Sequence, residues 1–302
     1  EKMMASILAT SWRRCACAPV VGRRGLRDAR ALAAERHDQT THFGYRDVPQ
    51  ADKAKMVGEV FSRVADSYDL MNDVMSAGVH RVWKDHFVDG MGLPAINAAS
   101  STGVRVLDVA GGTGDITFRI ADALAADGPS ARARAEVTVF DINADMLRVG
   151  EQRAGARAQL QRPGAPALRW VQGDAETLPF DDSSFDVYSI AFGIRNVTDV
   201  PKALREARRV LRPGGRFVCL EFSQVQPRIL RALYDEYSFR MIPALGALVA
   251  NDRESYQYLV ESIRKFPAQD AFARWIADAG FKAVSYTNLT FGAVAIHTGF
   301  KV

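Results

Sequence analysis

The residues best suited to chemistry in this chain start at a glycine turn, Asp108-Val109-Ala110-Gly111-Gly112-Thr113-Gly114-Asp115. Glycine has no Cβ, so Gly111, Gly112 and Gly114 let the backbone bend sharply and come close to a ligand. A dinucleotide fingerprint is one reading of such a turn, but Thr117 stands where its third glycine belongs. Asp108 and Asp115 bracket the turn, and carboxylates there would repel a pyrophosphate and attract a cationic sulfonium. Two further acids follow downstream. Asp141 can accept both hydroxyls of a ribose as charge-assisted hydrogen bonds, or cap a helix that begins near residue 144. Asp174, followed by Ala175, can accept from the exocyclic amine of an adenine while a backbone N–H serves a ring nitrogen. Turn, ribose acid and Asp-Ala pair together describe a nucleoside carrying a cationic group, which points to S-adenosylmethionine as a methyl donor. No metal is expected. Cys15 and Cys17 lie near the N-terminus, and Cys219 sits in the apolar run Phe217-Val218-Cys219-Leu220 as a buried thiol.

These groups act together only if the chain brings them to one edge. The apolar runs 104–109, 136–141, 168–172, 185–191 and 216–222 read as strands, with helices over 114–127, 144–154 and 200–211 between them. Repeated strand–helix units imply a mostly parallel sheet covered on both faces. Ligands of such sheets bind beyond the carboxyl ends of the strands, at the switch point. A helix near 268–279 then precedes two runs, 281–287 and 293–299, that suit a terminal antiparallel pair. The expected organisation is a leader over 1–36 and a single domain over 37–302. That domain has a helical region at about 50–92, a core at about 104–222 and 268–302, and a lid-like insertion at about 224–266. The insertion is rich in aromatics (Tyr234, Tyr237, Phe239, Tyr256 and Tyr258).

The net charge of +4 is unevenly placed. Residues 1–36 hold eight basic and three acidic side chains, which leaves the remainder at −1. A nearly neutral body lacks the cationic footprint that neutralises a phosphate backbone, so nucleic acid is not an expected partner. The leader is rich in Arg and Ala and poor in acids, the composition of an organellar transit peptide; a plain basic tail is the alternative. No apolar run reaches the ~18 residues needed to span a bilayer, and the longest candidate is 241–250.

Segments outside the cofactor turn narrow the reading. Tyr68-Asp69-Leu70-Met71-Asn72-Asp73-Val74-Met75-Ser76, then His80 and Trp83, resemble the N-terminal motif of the ubiquinone/menaquinone-biosynthesis C-methyltransferases. Ala191-Phe192-Gly193-Ile194-Arg195-Asn196-Val197 and the stretch from Arg209 through Pro213-Gly214-Gly215 to Glu221-Phe222-Ser223 resemble the same family. The resemblance covers roughly residues 41–302. It implies the class I S-adenosylmethionine-dependent methyltransferase fold, a seven-stranded, mostly parallel sheet with one antiparallel strand and helices on both faces. It also implies Thr113, Asp141, Asp174 and Ala175 as cofactor contacts, to which the glycine turn itself adds Gly112 and Gly114 as expected cofactor-binding residues. One departure is visible: the family's Ser-Phe-Gly reads Ala191-Phe192-Gly193 here, so no serine contact can be assigned at 191, and Ser189 keeps an open role. The implied reaction is C-methylation of a polyprenylated methoxy-benzoquinol ring in ubiquinone synthesis. With it come a peripheral place on the matrix side of the mitochondrial inner membrane, membership of a multi-subunit ubiquinone-synthesis complex, and a homodimer as a further expectation. Another small aromatic or lipid acceptor, such as a demethylmenaquinone or sterol, and a non-catalytic scaffold are the alternatives.

The implied chemistry asks for specific groups. A quinol ring attacks the methyl at carbon, and removing a phenolic proton makes that carbon more nucleophilic. Ring and methyl must be aligned, water excluded and phenolate charge stabilised. Arg195, just beyond the fourth strand, is the expected catalytic residue, holding the phenolate or orienting a water; an ion pair with a strand-end acid is its alternative. A guanidinium only donates, so it is a poor direct base. Tyr68 and Asp69 are ring-positioning or proton-accepting alternatives, and His80 reads as a packed or capping histidine more than a base. The stretch 224–266 is expected to line an apolar channel for the prenyl tail, with apolar cover on the sheet as its alternative.

Overall fold

The computed structural model describes residues 40–64, 72–73, 75–125, 135–226, 230–231, 236–237, 240, 243 and 252–302. The leader at 1–36 lies outside the described residues, as do Tyr68, Asp69 and most of the apolar run 241–250. Residues 40–302 form one compact unit. It opens with an antiparallel hairpin of β1 (Thr40–Phe43) and β2 (Arg46–Pro49), which the sequence pattern does not reveal. Among the elements that follow are helices α1 (Gln50–Val64), α2 (Val79–Asp89) and α3 (Leu93–Ala99).

The core then alternates β3 (Arg105–Val109), α4 (Asp115–Ala125), β4 (Glu136–Asp141), α5 (Ala144–Gly155), β5 (Ala167–Gln172), β6 (Phe185–Ala191), α6 (Val200–Val210) and β7 (Leu211–Phe222). Helices α7 (Arg253–Lys265) and α8 (Gln269–Asp278) lead to β8 (Lys282–Leu289) and β9 (Val294–Phe300). The seven strands β3 to β9 form one sheet in the order β5-β4-β3-β6-β7-β9-β8. Strands β5, β4, β3, β6 and β7 pair in parallel, and β9 runs antiparallel to both its neighbours. That is the seven-stranded sheet with one antiparallel strand that was expected.

Alternation along each strand builds two cores. Leu107 and Val109 of β3, with Phe217 and Cys219 of β7, pack under α6 and α8. Val106, Val218 and Leu220 face the other way, beneath α2, α3 and α4. Successive strand residues point to opposite faces, so both faces must be covered. Side-chain caps set the helix starts. Asn143 accepts from the Asp145 and Met146 N–H groups, Asp199 from Lys202, and Asp252 from Ser255. Strand β7 starts earlier than the expected residue 216. Leu211 pairs with Phe185 directly after α6, and the ladder shifts register before Arg216 meets Val187. Pro213 has no N–H to give a ladder, so this segment sits in the irregularity. No helix among the described residues is long and apolar enough to cross a membrane.

Candidate functional site

Strand order reverses between β3 and β6, and the turns beyond β3, β4, β5 and β6 enclose a cavity of about 140 Å³. Gly112, Thr113, Asp141, Asp174 and Ala175 all line it. The turn after β3 is shaped by its glycines: Gly112 has φ +52 and Gly114 φ +86, and a Cβ on Gly114 would lie 2.8 Å from the Phe118 ring. Two non-glycine residues, Ala110 (φ +54) after β3 and Phe192 (φ +55) after β6, are also left-handed. Such a conformation costs of order 1–3 kcal/mol and persists only where surrounding structure over-determines it. Gly193 lets the two turns close on each other, since a Cβ on it would sit 2.3 Å from the Ala110 Cβ. The two turns touch at the switch point. Gly193→Ala is therefore expected to destabilise the fold by about 1–3 kcal/mol and to weaken donor binding. Thermal unfolding and calorimetry read the two effects, and a variant as stable as the parent would remove the contact from the argument.

Asp141 does not cap a helix; Asn143 does. Instead its Oδ2 accepts from the Gly112 N–H at 2.9 Å and its Oδ1 from the Asn143 N–H at 2.8 Å. Burial raises its carboxyl to about 6, against the pull of these N–H groups. Each carboxylate oxygen keeps a further lone pair for a ligand hydroxyl. Asp174 Oδ1 accepts from the Glu176 N–H at 2.9 Å, which fixes the turn after β5.

The charge argument at the glycine turn needs correction. Asp108 is only 1% exposed, and its oxygens accept from Thr117 Oγ1 at 2.6 Å and Ser189 Oγ at 2.8 Å. Burial lifts its carboxyl to about 6. It ties β3 to α4 and β6, which also answers for Ser189, and offers no bare charge to a ligand. Asp115 is paired with Lys84 Nζ at 2.7 Å. Burial acts to raise the Asp115 carboxyl, but the Lys84 ammonium, helped by Arg119, holds it below the usual range. The acids that line the cavity without a cationic partner among the described contacts are Asp141 and Asp174.

A second cavity, of about 450 Å³, adjoins the first; Phe61, Lys84 and Phe192 line both. Its walls are largely apolar: Trp83 from α2, Phe222 at the end of β7, and Tyr256, Tyr258 and Ile263 from α7. Trp83 Nε1 donates to Thr290 Oγ1 at 2.8 Å, which seats α2 on the β8–β9 turn. Arg195 lines this cavity and is 4% exposed. Its Nη1 lies 3.0 Å from Glu221 Oε1 and also donates to the Phe192 carbonyl, and its Nε reaches Ser262 Oγ at 3.4 Å. The strand-end ion pair is thus present, and it sits on the cavity wall. Burial pushes the Glu221 carboxyl up, and Arg195 counters that push.

His80, 6% exposed, also lines the second cavity. Its Nε2 lies 2.8 Å from Asp73 Oδ1, and Arg81 binds both Asp73 oxygens. Three groups escaped the sequence reading: Glu221 as the partner of Arg195, Asp73 as the partner of His80, and Lys84. Lys84 follows His80 by four residues, so both lie on one face of α2. That spacing was a usable signal. Among the described residues no cluster of three or more His, Cys, Asp or Glu side chains is placed to hold a metal.

Known proteins share this arrangement. The ubiE/COQ5 methyltransferase family model matches residues 48–301. The chain is 51% identical over 281 residues to the mitochondrial 2-methoxy-6-polyprenyl-1,4-benzoquinol methylase of Arabidopsis thaliana, covering 90% of this chain and 94% of that protein. It is 49% identical over 305 residues to the Bos taurus protein of the same name, covering 92% and 89%. It is 55% identical over 262 residues to the ubiquinone/menaquinone biosynthesis C-methyltransferase UbiE of Paracoccus denitrificans, covering 87% and 97%. Among solved structures, one from a complex of the Haloferax volcanii Trm112 methyltransferase activator with a methyltransferase matches with TM-score 0.52 at 15% identity, covering 80% of this chain and 97% of that one. A Methanococcus maripaludis protein assigned as an S-adenosyl-L-methionine-dependent methyltransferase matches with TM-score 0.51 at 15% identity, covering 80% and 93%. At that identity the structures speak for the class I fold alone, while the sequence relatives and the family model decide membership: this chain belongs to the ubiE/COQ5 methyltransferase family.

Proposed function

We propose that this protein transfers a methyl group from S-adenosylmethionine to a ring carbon of a polyprenylated methoxy-benzoquinol, in ubiquinone synthesis. The observation that carries the reading is the pair of adjoining cavities, one with nucleoside-binding acids and one apolar, sharing Phe61, Lys84 and Phe192. The names of the 49–55% identical relatives supply the substrate class.

The donor fits the first cavity by its chemistry. Gly112 and Thr113 line it, while Gly114 stands outside the lining and turns the chain against Phe118; Asp141 has lone pairs for a ribose, and Asp174 with Ala175 suits an adenine edge. Bound there, S-adenosylmethionine supplies an electrophilic methyl. The chain's own residues do the rest. Trp83, Phe222 and the α7 aromatics exclude water and hold the ring and its apolar tail. Arg195, fixed by Glu221, offers positive charge to the ring oxygen as that oxygen becomes anionic. Tyr68, in the family motif next to Asn72 and Asp73, is assigned to positioning the ring.

The prenyl tail makes contact with a bilayer surface the natural way to collect substrate, so we place the protein peripherally on the matrix side of the mitochondrial inner membrane. Its eukaryotic relatives are named mitochondrial. We also assign it to a multi-subunit ubiquinone-synthesis complex and to a homodimer. A second acceptor, a demethylmenaquinone, is favoured by the name of the Paracoccus relative. The deciding experiment supplies the protein and methyl donor with lipid extracted from a ubiquinone-deficient strain. A benzoquinol gaining one methyl on carbon is the expected product; methylation of a naphthoquinol or sterol instead would overturn the assignment.

A further inference from the structure

We propose that His80 is the proton acceptor for the ring hydroxyl, with Asp73 as the residue that positions it; this rests on the quinol reading above. The geometry is that of a base held by a carboxylate. Asp73 accepts from Arg81 Nε at 2.7 Å and Nη2 at 2.6 Å, and its Oδ1 lies 2.8 Å from His80 Nε2. Arg81 and His80 keep the Asp73 carboxyl well below the usual carboxylate range, so it is ionised and only accepts. Nε2 must then carry the hydrogen, which leaves the lone pair on Nδ1. That Nδ1 is buried and has no hydrogen-bond partner among the described residues, on a side chain that lines the 450 Å³ cavity. A buried acceptor left unpaired is destabilising, and a substrate hydroxyl would satisfy it.

Three other polar groups on this cavity, Lys84, Arg195 and Tyr258, are poorer acceptors. Lys84 and Arg195 bear cationic heads that only donate. Tyr258 is pushed up to about 12 by burial, and its hydroxyl donates to Asn196 Oδ1 at 2.9 Å. His80 itself is lowered from the usual imidazole value, chiefly by burial and also by Lys84; Asp73 and Asp115 oppose this. The ring is therefore neutral at neutral pH, with Nδ1 free to take a proton. In the step, the hydroxyl O–H bond breaks with its pair left on oxygen, and the proton goes to Nδ1. Asp73 holds the resulting imidazolium through Nε2–H. Once the ring carbon bears the new methyl, its displaced hydrogen leaves as a proton to water. The His80 proton returns to the ring oxygen, so the side chain ends as it began.

The test compares a natural quinol with a ring-fluorinated quinol whose hydroxyl ionises more readily. His80→Gln is expected to lower kcat on the natural quinol by about 10²–10⁴-fold, with KM and donor affinity little changed, and to lose far less on the fluorinated ring. In the wild type, kcat at saturating donor and quinol, where the Asp141 effect on donor affinity is removed, should fall with decreasing pH below the usual imidazole value, and His80→Gln should lack that limb. Equal losses on both rings, or an unchanged acid limb, would overturn the proposal. ¹⁵N-histidine spectra give a readout that needs no turnover: His80, identified by its loss in the variant, should show a bare Nδ1 and a protonated Nε2. Asp73→Asn should mix the tautomers without unfolding the protein. A protonated Nδ1 in the wild type sinks the base assignment on its own. Absence of any quinol methylation by the wild type would instead sink the quinol reading.

Discussion

Asp141→Ala is expected to weaken donor binding by about 10²–10⁴-fold in calorimetry, because two charge-assisted hydrogen bonds to a ribose are worth about 1.5–3 kcal/mol each. The loss has a second source. Asp141 also accepts from Gly112 and Asn143 N–H groups, so its removal frees the glycine turn and the entry to α5 together. Asp141→Asn keeps one oxygen and the side-chain shape, and should fall between the two. Binding also acquires a pH dependence of known sign. The carboxyl is raised to about 6 from 3.8, and only its ionised form accepts from both hydroxyls, so donor affinity should drop as pH falls through about 6. Stability runs the other way. A carboxyl with a raised folded-state value contributes stability that is present below 3.8 and lost as pH rises through about 6. Asp108, lifted to about 6 by burial, adds to the stability trend and not to the binding trend. Unchanged affinity in Asp141→Ala would place the nucleoside elsewhere.

Arg195→Ala combines two large effects that must be separated. Its partner Glu221 is 1% exposed, so removing the guanidinium strands a buried carboxylate, a loss of about 3–5 kcal/mol. Low activity in that variant could come from unfolding alone. The informative protein is the paired replacement, Arg195→Met with Glu221→Leu, because exchanging both charges for apolar groups of similar volume is often neutral. It should unfold near the parent temperature and bind donor normally, yet lose about 10²–10³-fold in kcat, the usual cost of a missing oxyanion donor. Full turnover by the paired variant would confine Arg195 to a structural role.

Much of the fold could be read because its strands are buried on both faces. Glu136–Asp141 and Phe185–Ala191 stand in the structure with the bounds expected from the sequence, since a doubly covered parallel strand reads as an unbroken apolar run. With those ends known, Asp141 and Asp174 fall at the cavity edge by topology alone. The hairpin at 40–49 had no such signal. Its strands are four residues each and mostly polar, and Phe43 is held by stacking on Tyr258 of α7 at 4.1 Å.

The sequence by itself determined the glycine turn, the places of Asp141 and Asp174 at strand ends and the succession of strands and helices along the chain, because each is encoded by neighbours in the chain. What each acid does with its charge was decided only by tertiary contacts. Thr117 and Ser189 bury Asp108 in hydrogen bonds, and Lys84 from α2 neutralises Asp115, so the bracket of negative charge around the turn is absent. Arg195 likewise acquires Glu221, and His80 acquires both Asp73 and an unpaired Nδ1 on the acceptor cavity. Burial and pairing depend on which side chains arrive from elsewhere, and residue type at a position does not specify that.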